Sequence, residues 1–139
     1  MKTIIKYLLI TMSVIAGVPI LLLALLLYLS ADGMCGNYIH TEVGSPDNRY
    51  KAVIFQRDCG ATTDFSTQIS IVKKNTELKN NSGNIFVVRC HPDSQAPELK
   101  WLSNTELLIG RQLDGTEVRA ENSFGLIHKL KISYATGVP

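Results

Sequence analysis

From Tyr7 to Ser30 the chain reads YLLITMSVIAGVPILLLALLLYLS, 24 residues without a charged side chain. As a helix this run rises about 36 Å, enough to cross a hydrocarbon core of about 30 Å. No small water-soluble domain could cover so much continuous apolar surface, so the run divides the chain before anything else is read. Gly17 and Pro19 lie inside it. In lipid both are tolerated, and a mild kink near Pro19 is expected. A cleaved signal peptide usually carries an apolar region of only about 7–15 residues. Here LSADGMC offers a weak small-residue cleavage site ending at Ala31, and Asp32 and Met34 fit a lipidation site before Cys35 badly. The expectation is therefore an uncleaved signal-anchor helix over 7–30. Lys2 and Lys6 precede it and Asp32 is the first charge after it. By the positive-inside rule, residues 1–6 are cytoplasmic and the remainder lies outside.

Charge and cysteine usage narrow the function classes. The formal charge of +2 is accounted for by Lys2 and Lys6 alone. Beyond them the basic residues are dispersed, with only Lys73 and Lys74 adjacent, and no basic stripe suggests a nucleic-acid partner. Cys35, Cys59 and Cys90 all follow the anchor. An oxidising compartment favours one bridge and one remaining thiol. Spacing alone leaves all three pairings open. No CxxC pair is present for a zinc ribbon or a thioredoxin-like site.

Residues 31–48 read as a linker and lead-in loop, ending in the turn chemistry of SPDNRY. The domain proper is expected over 49–139. YKAVIFQR is a short apolar run suited to a buried strand, and TQISIVK alternates, with Ile69 and Ile71 opposite Gln68 and Ser70. NTELKNNSGN should be an exposed loop, and NIFVVRC a further strand. HPDSQAPE breaks the pattern at Pro92 and Pro97. LKWLSNTELLIG places Leu99 and Trp101 on one face before a turn leading to Leu107 and Ile109. The Asp-Gly of LDGTEV suggests a tight hairpin. In LIHKLKISY, His128, Leu130, Ile132 and Tyr134 share a face. Turn signals every 8–12 residues point to an all-β domain, a mostly antiparallel meander or sandwich-like sheet of about six strands.

RDCGATTDF, 57–65, holds the densest set of functional side chains. A catalytic Cys59 would need a base, and His40, His91 and His128 are each isolated in sequence. Asp58 beside Cys59 also disfavours a thiolate. A structural corner uses more of the residues: Cys59 ending a strand, Gly60 taking a permissive backbone conformation, and Thr62 and Thr63 bonding the corner backbone. A Cys35–Cys59 bridge across 24 residues would add about 3–4 kcal/mol, and Cys90, within a strand, suits a buried single thiol. The pair Asp58 and Asp64 has no defined separation. The ligand types of CHPD, 90–93, lack standard metal spacing. Asn80-Asn81-Ser82 is a glycosylation sequon that matters only in a eukaryotic host. No cofactor or metal ion is expected.

The pattern C-x(9)-SPD, then KAV, RDCGATT, FSTQ and, further on, GNIF and WLSNTELLI, resembles a family of small bacterial exported or membrane-anchored proteins, often lipoprotein-like. The likeness covers about Cys35 to Ile109. It implies no established activity. It does imply that Cys35 and Cys59 pair and that Cys90 is left over. Together these features predict a non-enzymatic, single-pass protein of the bacterial inner membrane. Its disulfide-stapled β domain would face the periplasm and bind a protein or envelope component, immunity-type roles included. Its interaction rim would be Thr62, Thr63, Asp64 and Phe65. The alternatives are a small hydrolase or thiol enzyme working at the CGATT corner, and an accessory subunit whose anchor packs through Gly17 and Ala24.

Overall fold

The computed structural model describes residues 1–31, 35–60 and 63–136. The chain divides into two units, Met1–Met34 and Cys35–Pro139. The first is one helix, α1 (Lys2–Ala31), with Pro19 inside it. Its stretch Thr3–Tyr28 is long and apolar enough to cross a membrane. Apolar residues surround the helix on every side rather than forming a stripe, which is what a lipid-facing helix requires.

Among the described residues the second unit holds nine strands in two sheets. The first sheet has the order β1 (Gly36–Gly44), β2 (Tyr50–Asp58), β3 (Ser66–Lys73), β4 (Phe86–Val88) and β7 (Glu117–Ala120), each pair antiparallel. The second has the order β5 (Leu99–Ser103), β6 (Glu106–Ile109), β9 (Leu130–Tyr134) and β8 (Ser123–Phe124). The all-β, mostly antiparallel expectation stands, with nine strands rather than about six. Simple meander order fails in the second sheet, where β6 and β9 run parallel.

The two sheets share one core. Ala52, Ile54, Ile69, Ile71, Phe86 and Val88 of the first pack with Leu99, Leu107, Ile109, Leu130 and Ile132 of the second. Period-two alternation selects these residues: in each strand every second side chain turns inward. The opposite face of β2 and β3 is also buried. Phe55 pairs with Gln68 and Val53 with Ser70, and all four are shielded from solvent. The cover comes from the end of the 75–84 loop, expected to be merely exposed. The Gln68 side-chain oxygen Oε1 accepts from the Ser82 hydroxyl and the Gly83 amide. Asn84 bonds both the amide and the carbonyl of Ile71, like a missing strand residue. Gly83 is required by this close approach, because a Cβ there would meet the Phe86 carbonyl at 2.8 Å.

Four further expectations are corrected. The stretch 31–48, read as a linker, contains the nine-residue strand β1. HPDSQAPE is not a plain break but holds one helical turn, α2 (Pro92–Gln95), with His91 as its N-cap. The Asp114-Gly115 turn does not close a hairpin. It lies in the crossing from β6 in one sheet to β7 in the other. There Arg111 pairs with Glu117 at 3.3 Å and reaches Gln95. His128 also lies before β9 and is exposed, while Leu130 and Ile132 are buried as expected.

Register gives the β unit two ends. At one, Gly36 pairs with Asp58, Arg57 with Ser66, and Val88 with Glu117. At the other, Gly44 pairs with Lys51 and Tyr50 with Lys73. The far-end turn is built on Asp47. Its carboxylate accepts from the Ser45 hydroxyl, the Arg49 amide and the Arg49 side chain. The Arg49 side chain, then Ser45, hold the Asp47 carboxyl down to about 2 from 3.8. A carboxyl depressed in the folded state adds stability above its unfolded value, and that stability is lost as pH falls through the folded one. Acid titration of the folded fraction is expected to show a loss of stability between 3.8 and about 2 that the Asp47→Asn variant lacks.

Candidate functional site: the disulfide corner and its groove

The chain enters the β unit at the corner, where Cys35 and Cys59 form a disulfide with an S–S distance of 2.03 Å. The pairing that the resemblance implied is therefore present. Cys90 is free, with its sulfur 3.4 Å from the Thr67 hydroxyl oxygen. With its sulfur in the bridge, Cys59 offers no thiol at this corner.

The corner is held locally. Gly60 has φ of 97°, left-handed backbone that other residues resist. Its amide donates to Asp58 Oδ1 at 2.9 Å, and its carbonyl accepts both the amide and the hydroxyl of Thr63 at 3.1 Å. Thr63 thus caps backbone, as expected of a corner threonine. Thr62 lies outside the described residues.

Behind the corner sits a buried cation. Arg57 is 9% exposed, and its Nη1 donates to Asn37 Oδ1 at 2.8 Å and Asn80 Oδ1 at 3.3 Å. Among the described residues no carboxylate pairs with it. Asn80 also donates to the Cys35 carbonyl, and Asn37 to the carbonyls of Lys79 and Asn81. Two amide side chains, those of Asn37 and Asn80, thus tie the first strand, the second strand and the 79–81 loop around one guanidinium. Buried charges cost least when their hydrogen bonds are satisfied, and this arrangement supplies acceptors from neutral groups.

Thr63, Asp64 and Phe65 are all exposed. Phe65 meets the His91 ring edge-on with centroids 5.3 Å apart, a favourable aromatic geometry. This contact joins the rim to α2. Beside it runs an open groove of about 440 Å³ lined by Thr63, Asp64, Ser66, Val87, Arg89 and Val118. Thr63 and Asp64 of the rim line this groove, while Phe65 stands at its flank. Ser66, Arg89 and Val118 escaped sequence reasoning, because the pairing of β3 through β4 to β7 that assembles them spans more than 50 residues. Val118 is 63% exposed. Arg89 and Asp64 make no side-chain hydrogen bond or ion pair among the described residues. β7 lies at one edge of its sheet, and among the described residues it pairs only with β4, which leaves its outer edge without a strand partner there.

The remaining candidates are dispersed. His91 Nδ1 accepts from the Asp93 amide at 3.2 Å. The Asp93 carboxylate lies between His91 and His40, at 3.5 and 3.6 Å. No group of three or more His, Cys, Asp or Glu side chains among the described residues is arranged to hold a metal ion. Asp58 is committed to the Gly60 amide.

Comparisons with protein-family models, characterised proteins and solved structures find no significant match to this chain.

Proposed function

We propose that this chain is a single-pass bacterial inner-membrane protein whose β unit lies outside the membrane and binds a protein partner through the disulfide-corner rim and its groove. α1 is the anchor, with residues 1–6 cytoplasmic. The role is non-enzymatic and fits an immunity-type protein or a receptor for an envelope component. The observation that carries the binding reading is continuity. Exposed Phe65 and Val118, the unpaired charges of Asp64 and Arg89, and the open edge of β7 lie along one surface. Shallow surfaces of mixed apolar and charged character suit proteins better than small molecules, and an open edge invites strand addition.

A crosslinking pull-down from intact envelopes tests this. Wild-type protein is expected to recover one specific partner. Arg89→Glu, an exposed charge reversal, should reduce recovery at least about tenfold, in line with a buried interfacial charge. Removing the anchor should reduce it further by lowering local concentration. Recovery of no specific partner, or equal recovery by Arg89→Glu, contradicts the proposal.

A further inference from the structure

The loop between β3 and β4 carries more polar side chains than its own fold uses. It is pinned along its length. The Thr76 amide bonds the Lys73 carbonyl where the chain leaves β3. Asn37 holds the Lys79 and Asn81 carbonyls, and Asn80 bonds the Cys35 carbonyl. Gln68 then holds Ser82 and Gly83, and Asn84 bonds the Ile71 backbone. Between this loop and the face of β3 that carries Ser70 lies an open pocket of about 190 Å³. At about 30 Å³ per water it has room for about six water-sized groups. Its wall is fixed by bonds already made, so little ordering is left for a ligand to impose.

The lining side chains divide by chemistry. Val72 and Leu78 are apolar and half-buried. Ser70 is only 4% exposed, and its hydroxyl oxygen accepts from the Asn84 amide at 3.1 Å. The hydroxyl proton has no acceptor among the described residues, so a buried donor is left over at the pocket. Glu77 and Lys79, one on each side of Leu78 in the chain, are exposed charges of opposite sign that also line it. Among the described residues neither side chain makes a hydrogen bond or ion pair, with the other or with any third group.

We infer that this pocket binds a free amino acid with a small aliphatic side chain, as its zwitterion. The Glu77 carboxylate meets the ligand ammonium, and the Lys79 ammonium and the Ser70 hydroxyl meet the ligand carboxylate. The aliphatic side chain lies against Val72 and Leu78. Charge-assisted hydrogen bonds at both ends of a short apolar body supply orientation, and the apolar contact supplies burial. A neutral or singly charged molecule, a protein chain end included, would leave Glu77 or Lys79 unmatched. None of the described lining residues is aromatic, so a sugar ring would find no flat face to stack on. No residue of this pocket lines the corner groove, so the inference survives or fails independently of the proposed partner site.

The test is saturation-transfer NMR on the full chain in deuterated detergent, with L-alanine, L-valine and L-leucine as probes. At least one is expected to bind saturably, with its methyl groups receiving the strongest transfer. The amide of that amino acid, which lacks the carboxylate charge, and its N-acetyl form, which lacks the ammonium, should each bind at least about tenfold more weakly. Glu77→Gln and Lys79→Gln should weaken binding of the parent amino acid by a similar factor. Both positions are exposed, so these variants keep the test decisive even if the buried change Ser70→Ala, expected to weaken binding several-fold, unfolds the chain. The inference is overturned if none of the probes binds, or if the amide and N-acetyl forms bind as well as the free amino acid. It is also overturned if both charge variants bind as the parent chain does, or if D-glucose competes equally, which would mark a general polar pocket.

Discussion

Replacing Cys35 and Cys59 together by serine is expected to lower the unfolding free energy by about 3–4 kcal/mol on the chain-entropy model for a 24-residue loop. The effect is large because the bridge does more than close a loop. It fixes the start of β1 to the end of β2, and the Asn80 side chain then bonds the Cys35 carbonyl. Without the staple, the start of β1 would be held by its pairing with β2 and by the Asn37 bonds to Arg57, Lys79 and Asn81. The measurement is urea unfolding of the detergent-solubilised chain, followed by Trp101 fluorescence. Trp101 reports on β1 directly, since its indole N–H donates to the Val43 carbonyl at 3.0 Å. The double variant avoids leaving an unpaired thiol. Cys90→Ser, made in parallel, should cost much less, because Cys90 is free and serine can keep a bond to Thr67. A loss below about 1 kcal/mol in the double variant, roughly the uncertainty of such an extrapolation, would contradict the staple.

Phe86→Ala is expected to cost about 3–5 kcal/mol, the range for truncating a fully buried aromatic residue. Phe86 is fully buried and pairs with both Ile69 and Ala120 in its sheet. Its ring lies 6.2 Å from Tyr134 of the other sheet. It therefore sits where the short strand β4 and the two-sheet core meet. The same unfolding experiment reads the loss. Tyr134 supplies a second readout, because burial, with Glu121 and Glu117 nearby, pushes its hydroxyl up to about 12 from 10.0. The neutral phenol donates to the Glu121 carbonyl at 2.8 Å. A raised value means stability that holds below 10 and is lost as pH rises toward 12. Phe86→Ala should let Tyr134 ionise nearer its ordinary value. A variant that keeps both stability and the Tyr134 titration unchanged would show that the two sheets do not meet at this residue.

What the residues made legible was local. The apolar run became one helix, a second, short apolar run marked β2, and alternation found β3, β5 and β6 with their inward faces. The Cys-Gly-Ala-Thr-Thr segment read correctly as a corner because its reasons are short-range: a bridge, a left-handed glycine and a capping threonine. β1 was hidden because most of GNYIHTEVG is exposed and its register slips between Ile39 and Thr41. An edge strand with a bulge carries little periodic signal. α2 had its start signals in His91, Pro92 and Asp93, but one turn is too short for periodicity to register. Asp114-Gly115 announced a turn without saying which strands it joins. The groove was illegible for a similar reason, since Ser66, Arg89 and Val118 meet only through pairing of β3, β4 and β7, with α2, β5 and β6 intervening in the chain.

The central claim is that the corner surface, not the far end, receives a protein. A photo-activated crosslinking residue placed at Val118, and separately at Thr105, in the full chain within intact envelopes tests it most directly. The account predicts a discrete higher-mass protein adduct from position 118 and none from position 105. No adduct at 118, or the same adduct from both positions, would contradict it.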